Sequence, residues 1–183
     1  MKTLLAIANA SAGTADESSV EIAVATLGNA YDVSVVTTST PDELDSALSD
    51  HPDVHGVVVL GGDGSLHAVI AALHQAARLD VIVGLVPLGT GNDFAAALGL
   101  PDDPALAAGV ILADHPEPID LIVDGSDQVV VNVAHIGIGA EAAMAARPLK
   151  KFLGPVGYVA GALIASVKGI ATPGAKLRIE IDG

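Results

Sequence analysis

The chain has no cysteine and no tryptophan, and only two tyrosines and two phenylalanines in 183 residues. Without thiols there are no disulfides and no thiolate metal centres, and the redox compartment stays open. With so few aromatics, a core must be built from Val, Ile, Leu and Ala. Cations are scarce: eight Lys and Arg stand against 22 Asp and Glu, for a net charge of −14. That balance argues against a nucleic-acid partner, which needs cations to displace counterions from phosphates. No Lys or Arg occurs between Lys2 and Arg78, and six of the eight cations (Arg147, Lys150, Lys151, Lys168, Lys176 and Arg178) lie in the last third. A phosphate bound by a glycine-rich loop between Lys2 and Arg78 has no local lysine, so backbone amides and a divalent cation would have to hold it. No apolar run spans a bilayer; residues 156–167 are too few. The apolar start, Met1 to Ala8, stops at Asn9 with no small-residue cleavage site after it, so it reads as a buried strand rather than a signal peptide.

What is present is aliphatic and alternating. Hydrophobic residues make up 51% of the chain and mean hydropathy is +0.57, enough for a sizeable core in one or two domains. Strand patterns at 3–8, 31–37, 54–60 and 81–86 alternate with helical patterns at 15–27, 41–48, 65–77, 93–98 and 104–113. Thr40 and Pro41 mark one helix start, and Gly99 closes the helix at 93–98. Continuous apolar strands between helices predict an α/β fold whose parallel sheet is covered on both faces. From Pro116 and Pro118 onward the pattern changes. Strands at 119–123 and 128–134 are joined by the hairpin signal Asp124-Gly-Ser-Asp127. Helices follow at 140–146 and 156–167, and a strand at 176–181. The expected division is 1–116 and 117–183, the second part being β-rich and incomplete, so that a second copy or a further C-terminal segment would complete it.

In parallel sheets ligands sit at the carboxyl ends of the strands. Three polar loops fall there, at 9–13, 61–65 and 89–93, with Thr37 ending a fourth strand. The middle loop, Gly61-Gly62-Asp63-Gly64-Ser65, follows an apolar strand and opens a helix. Glycine lets a backbone approach a bulky anion, Ser65 suits an N-cap, and the free amides of a helix start attract phosphate. A tight strand-to-helix turn with a surface aspartate explains the same residues without a ligand. Asp63, Asp93 and Asp120 each fall at or beside a strand end. Together they suit Mg²⁺, or the orientation of an attacking hydroxyl; taken singly, each also suits a cap or a turn.

Gly61-Gly-Asp-Gly-Ser65, followed by Pro87-Leu-Gly-Thr-Gly-Asn-Asp-Phe-Ala95, closely resembles the diacylglycerol kinase catalytic-domain family, which includes bacterial lipid kinases and sphingosine kinases. Asn9-Ala-Ser-Ala-Gly13 is similar to the family's first loop, with Ala10 where the family has Pro. Ile119-Asp-Leu121 and Asn132-Val-Ala-His-Ile-Gly-Ile-Gly139 resemble the opening of its β-rich second domain, although Gly139 stands where many members carry Asp. Residues 149–162 resemble a Leu-Gly-x-x-Tyr helix, with Tyr158 in register.

The resemblance implies a Rossmann-like nucleotide-binding domain, of the kind shared with NAD kinases, followed by part of a β-rich domain. It implies an ATP-dependent, Mg²⁺-using kinase of a lipid hydroxyl such as that of diacylglycerol, cytoplasmic and meeting its lipid at a membrane surface. Carried over by position, Asn9, Thr37, Gly61, Gly62, Asp63, Gly64, Ser65, Gly89, Thr90 and Asn92 would contact nucleotide. Asp63, Asp93 and Asp120 would form the acidic Mg²⁺ network, partly through water. The family's general-base Glu has no match here; Glu180 sits in an alternating strand and is read as solvent-facing. Two alternatives follow. One is a NAD kinase, which shares Gly-Gly-Asp-Gly, but Asn92-Asp93-Phe94-Ala95 speaks for the lipid branch. The other is a nucleotide-binding fragment without turnover. His67 and His74, seven apart on one helix, and the pair His51 and His55 lack a third ligand at metal spacing and are read as structural. Lys150-Lys151 is read as a solvated helix end rather than a membrane contact.

Overall fold

Four runs rich in β-branched and aliphatic residues form a parallel sheet: β1 (Thr3–Asn9), β2 (Asp32–Thr38), β3 (Gly56–Gly61) and β4 (Ile82–Pro87), in the order β2-β1-β3-β4. A computed structural model describes residues 1–9 and 17–131, all within one compact unit, Met1–Asn132. Most of the loop at 9–13, the glycine-rich stretch at 135–139, the helices at 140–146 and 156–167, the strand at 176–181, Lys150-Lys151, Tyr158 and Glu180 lie outside the described residues.

The sheet is apolar on both faces because each face has its own helices. Leu5, Ile7, Val57, Val59 and Leu85 pack with α2 (Pro41–Asp50), α3 (Asp63–Gln75) and Ala95 of α4 (Asp93–Ala97). The alternate residues Leu4, Ala6, Val58, Leu60 and Val86 pack with α1 (Glu17–Leu27) and α5 (Pro104–Leu112). A period of two along each strand therefore feeds two cores at once. Leu5, Leu27, Leu60 and Leu73 are fully buried, so aliphatic volume replaces the missing aromatics. No helix among the described residues is long and apolar enough to cross a membrane.

Three helix ends follow local chemistry, and the start of α3 does not. The Thr40 hydroxyl accepts the Glu43 amide at 3.3 Å, with Pro41 next in line, and Asp103 accepts the Leu106 amide at 2.9 Å ahead of Pro104. Gly99, at φ +68°, closes α4 as expected. The exception is α3, expected from Ser65 but starting two residues earlier. Its N-cap is Gly62, which is extended and offers no side chain, while Ser65 is buried inside the first turn against Gly61. At the other end of α3 a Schellman motif forms: the Ala77 amide donates to His74 O at 3.0 Å and the Arg78 amide to Leu73 O at 2.8 Å. The left-handed residue in that motif is Ala77, at φ +52°.

Arg78 is committed to structure. Its guanidinium donates to the carbonyls of Leu48 (2.6 Å), His51 (3.3 Å) and Pro52 (2.9 Å), closing the end of α2. At the amino ends of the strands, Lys2 pairs with Asp114 at 2.9 Å, and His55 stacks on Tyr31 while lying 3.3 Å from Asp114.

The expected strand at 119–123 is shorter. Among the described residues β5 (Ile122–Val123) and β6 (Val129–Val130) pair, antiparallel, across a turn in which Asp124 Oδ1 accepts the amides of Ser126 and Gln128. Pro116 and Pro118 donate no amides to a ladder, and Asp120 lies in irregular chain before β5. The hairpin packs on α3 with Val129 buried. His67 Nε2 donates to Val129 O (3.0 Å), and His74 Nε2 meets Asp127 Oδ1 (2.9 Å). The i, i+7 histidines thus have the structural role expected of them.

Replacing Ala77 by glycine relieves a left-handed alanine, and urea titration should show a gain of about 1 kcal/mol. Asp114 is held below its usual 3.8 by hydrogen bonds first from Lys2 and then from His55, and the bond to Asp114 holds Lys2 above 10.5. Stability from the carboxylate is therefore present above 3.8 and lost as pH falls through its lowered value; that from the ammonium is present below 10.5 and lost as pH rises through its raised value. Asp114→Asn, which keeps a residue tolerant of φ +50°, should lower the unfolding midpoint at neutral pH and low salt. The difference should vanish in strong acid and in molar salt.

Candidate functional site

The β3–β4 ladder extends to Gly61 opposite Pro87, and the Leu88 amide then donates to Gly61 O at 3.0 Å. The two chains therefore leave the sheet side by side. The next residues are Gly62 and Gly89, and their backbones touch. A Cβ built on Gly89 would lie 2.5 Å from Gly62 Cα, and one on Gly62 would lie 2.9 Å from Gly89 Cα. Neither position tolerates a side chain. Gly61 is also constrained, since a Cβ there would stand 2.6 Å from Ser65 Oγ.

Gly64 differs from these three. It lies in the first turn of α3, a Cβ there would meet nothing within 4 Å, and its φ is not positive. Neither packing nor backbone conformation requires glycine at this position. The first amides of a helix have no intrahelical acceptor, and among the described residues no side chain caps those of α3. The result is a row of donors with open space over Gly64 and the positive end of a helix dipole behind it.

The second loop is held by Asn92, which has φ +53°. Its Oδ1 accepts the Gly89 amide (3.0 Å), and its Nδ2 donates to Pro87 O (3.3 Å) and Gly89 O (3.0 Å). The side-chain amide of Asn92, a residue expected near a nucleotide, thus holds its own loop closed. Thr90 is exposed, and it lines a cleft of about 380 Å³ with Ser19, Gly91, Asp102 and Pro104, between the starts of α1 and α5. Ser19 and Asp102 carry no motif, and only the tertiary structure brings them here.

The remaining expected residues lie on several elements. Asn9 ends β1 opposite Thr38. Thr37, on edge strand β2, lines a separate depression with Asp42, Glu43, Ser46 and His51. Asp93 is exposed at the head of α4, and Asp120 is exposed ahead of β5. Asp63 is half-buried, and both its oxygens are engaged: Oδ2 accepts the Asp93 amide at 3.0 Å and Oδ1 the Phe94 amide at 2.9 Å. Mg²⁺ wants a near-octahedral shell of oxygens. Among the described residues no three acidic or imidazole side chains gather to hold a metal ion. Asp63, Asp93 and Asp120 therefore do not form a direct carboxylate shell in this structure, and the Asp63 oxygens face backbone amides.

Comparison with known proteins bears on the same residues. The family model of the diacylglycerol kinase catalytic domain matches residues 3–123. A protein of Xanthomonas campestris pv. campestris named "Probable lipid kinase YegS-like" is 45% identical over 114 residues, 58% of this chain and 37% of that protein. A protein of the same name from Pseudomonas putida is 43% identical over 104 residues, 56% of this chain and 34% of its own. A crystal structure of a diacylglycerol kinase from Bacillus anthracis str. Sterne superposes with a TM-score of 0.62 at 25% identity, covering 82% of this chain and 53% of that one. The matches thus span little more than a third of the two relatives' length.

Gly89→Ala should force the two loops apart, because the clash is with backbone. Denaturant titration should register a loss of about 1–3 kcal/mol.

Proposed function

The chain belongs to the diacylglycerol kinase catalytic-domain family, and from that premise we propose that it binds ATP at the Gly61–Ser65 and Gly89–Asp93 loops for transfer of the γ-phosphoryl group to a lipid hydroxyl such as that of diacylglycerol. The hydroxyl oxygen bonds to the γ-phosphorus and gives up its proton to water, the bond to the β–γ bridging oxygen breaks, and ADP leaves. Such transfer depends on positioning and charge neutralisation more than on covalent chemistry.

One observation carries the reading: the uncapped first turn of α3 with unneeded glycine at 64. A Cα without substituents lets phosphate oxygens reach amide hydrogens. Neither the Gly61–Ser65 loop nor α3 contains a lysine or arginine, and Arg78, the cation nearest in sequence, is bound to the carbonyls at the end of α2. Thr90 is proposed to face the nucleotide from the second loop, with Asn9 and Thr37 flanking it at the neighbouring strand ends. Asp93 and Asp120, both exposed, are proposed as the carboxylates that order water or the incoming hydroxyl. Magnesium is assigned no protein shell. Residues 1–116 are proposed as the nucleotide-binding part and 117–183 as the first part of the second domain. The lipid would be met peripherally, at the cytoplasmic surface of a membrane.

Gly64→Ala tests the reading. Alanine is the better helix former by up to about 1 kcal/mol, so stability should hold or rise while ATP affinity, read by calorimetry, falls several-fold. Unchanged affinity would overturn the site. For the parent chain we expect weak ATP binding and little transfer from labelled ATP to diacylglycerol vesicles. Phosphorylation of NAD in a parallel assay would overturn the lipid assignment.

A further inference from the structure

We propose that Asp63 is a positioning residue for the nucleotide loops: its carboxylate clamps the start of α4 to the start of α3, and it does not ligate magnesium. The inference rests on the nucleotide reading above and deepens it.

The short helix α4, Asp93–Ala97, has five residues, too few to persist without tertiary support. Its own cap position gives no help. Asn92 is left-handed, caps nothing in α4, and spends its side chain on Gly89 and Pro87. The caps come instead from Asp63, on another element. Each carboxylate oxygen takes one of the first two amides of α4, at 3.0 and 2.9 Å, as charge-assisted bonds. A Cβ on Gly91 would lie 3.6 Å from Asp63 Oδ2, so the carboxylate sits close beside the second loop as well. The negative charge thereby serves two helix starts, that of α3 in which it lies and that of α4 which it caps.

Mechanical consequences follow from the register. Gly62 precedes Asp63 and touches Gly89, and Asn92 precedes the two amides that Asp63 holds. Contact at the glycines and the carboxylate bridge are therefore two successive fasteners between the same two loops. Releasing the second leaves residues 89–93 tied, among the described residues, through Asn92 and the glycine contact. Thr90 and Asp93, the exposed groups of that loop, would then lose their fixed distance from the amides of α3. A residue with this job affects nucleotide affinity through geometry, whether or not a metal is present. A magnesium ligand affects it only when metal is bound. The two roles separate in one experiment.

ATP affinity of the full 183-residue chain is measured with Asp63 and with Asp63→Asn, in Mg²⁺ and in EDTA, well below the unfolding midpoint. Asparagine keeps the shape but turns one acceptor into a donor facing a backbone amide. Amide hydrogen exchange at Asp93 and Phe94 is followed on the same samples. We expect exchange at those amides to accelerate about tenfold or more, and ATP affinity to fall by a similar factor with and without Mg²⁺. A loss seen in Mg²⁺ alone would overturn the inference in favour of a metal ligand. Faster exchange with unchanged affinity would overturn it in favour of a structural cap without effect on nucleotide. If the parent binds no ATP in either condition, the nucleotide reading falls and the positioning role with it. If the parent binds ATP but exchange at Phe94 is unaltered by Asp63→Asn, the clamp falls and the nucleotide reading stands.

Discussion

Two backbones can meet at Cα only where neither carries a Cβ, and at the carboxyl end of this sheet Gly62 and Gly89 meet in that way. The rest of the site depends on the contact. It is imposed by the β3–β4 ladder, which delivers both chains to the same place through Gly61 opposite Pro87 and one further hydrogen bond from Leu88. Once the loops touch, Asn92 can close its own turn and Asp63 can reach across to α4. The loops behave as one unit because several constraints with different partners agree.

Electrostatics sharpen the contrast between the two helix starts at this end of the sheet. The start of α4 is capped by a carboxylate, whereas that of α3 has no side-chain cap among the described residues. A protein of charge −14 that leaves one row of helical amides without a side-chain acceptor has kept a small positive feature on an acidic surface. Glycine at 64 keeps that feature open without serving the fold. This asymmetry, more than any cluster of charged side chains, marks the place where a phosphate is proposed to bind.

The opposite end of the molecule is fastened differently. There Lys2, His55 and Asp114 meet, with Tyr31 stacked on His55. Along α3, two histidines hold the β5–β6 hairpin, one through a carbonyl and one through Asp127. These contacts are polar and partly exposed, so each adds little by itself. The aliphatic layers on both sides of the sheet carry the stability.

Much of the fold was legible along the chain because the controlling signals are local. Alternation of apolar residues located all four parallel strands to within two residues at either end. Thr40, Pro41 and Gly99 marked helix ends because caps act within a few residues of themselves. The paired glycine motifs located the two loops and carried the family resemblance. Other features were set by partners distant in sequence. Ser65 looks like a cap, yet Gly62 turns the chain into the helix first and buries it. Asp63 looks like a ligand, yet the sheet brings it to amides thirty residues away. That the Asn92 side chain closes its own loop was not legible either, because it follows from a left-handed backbone. Ser19 and Asp102 carry no signal and share a cleft only because α1 and α5 pack together. Residue periodicity and glycine placement thus determined the layers and the loops, since backbone sterics act over a few bonds. Which donor meets which acceptor was decided by strand register and helix packing, since hydrogen bonds need atoms about 3 Å apart and only the assembled sheet brings them there.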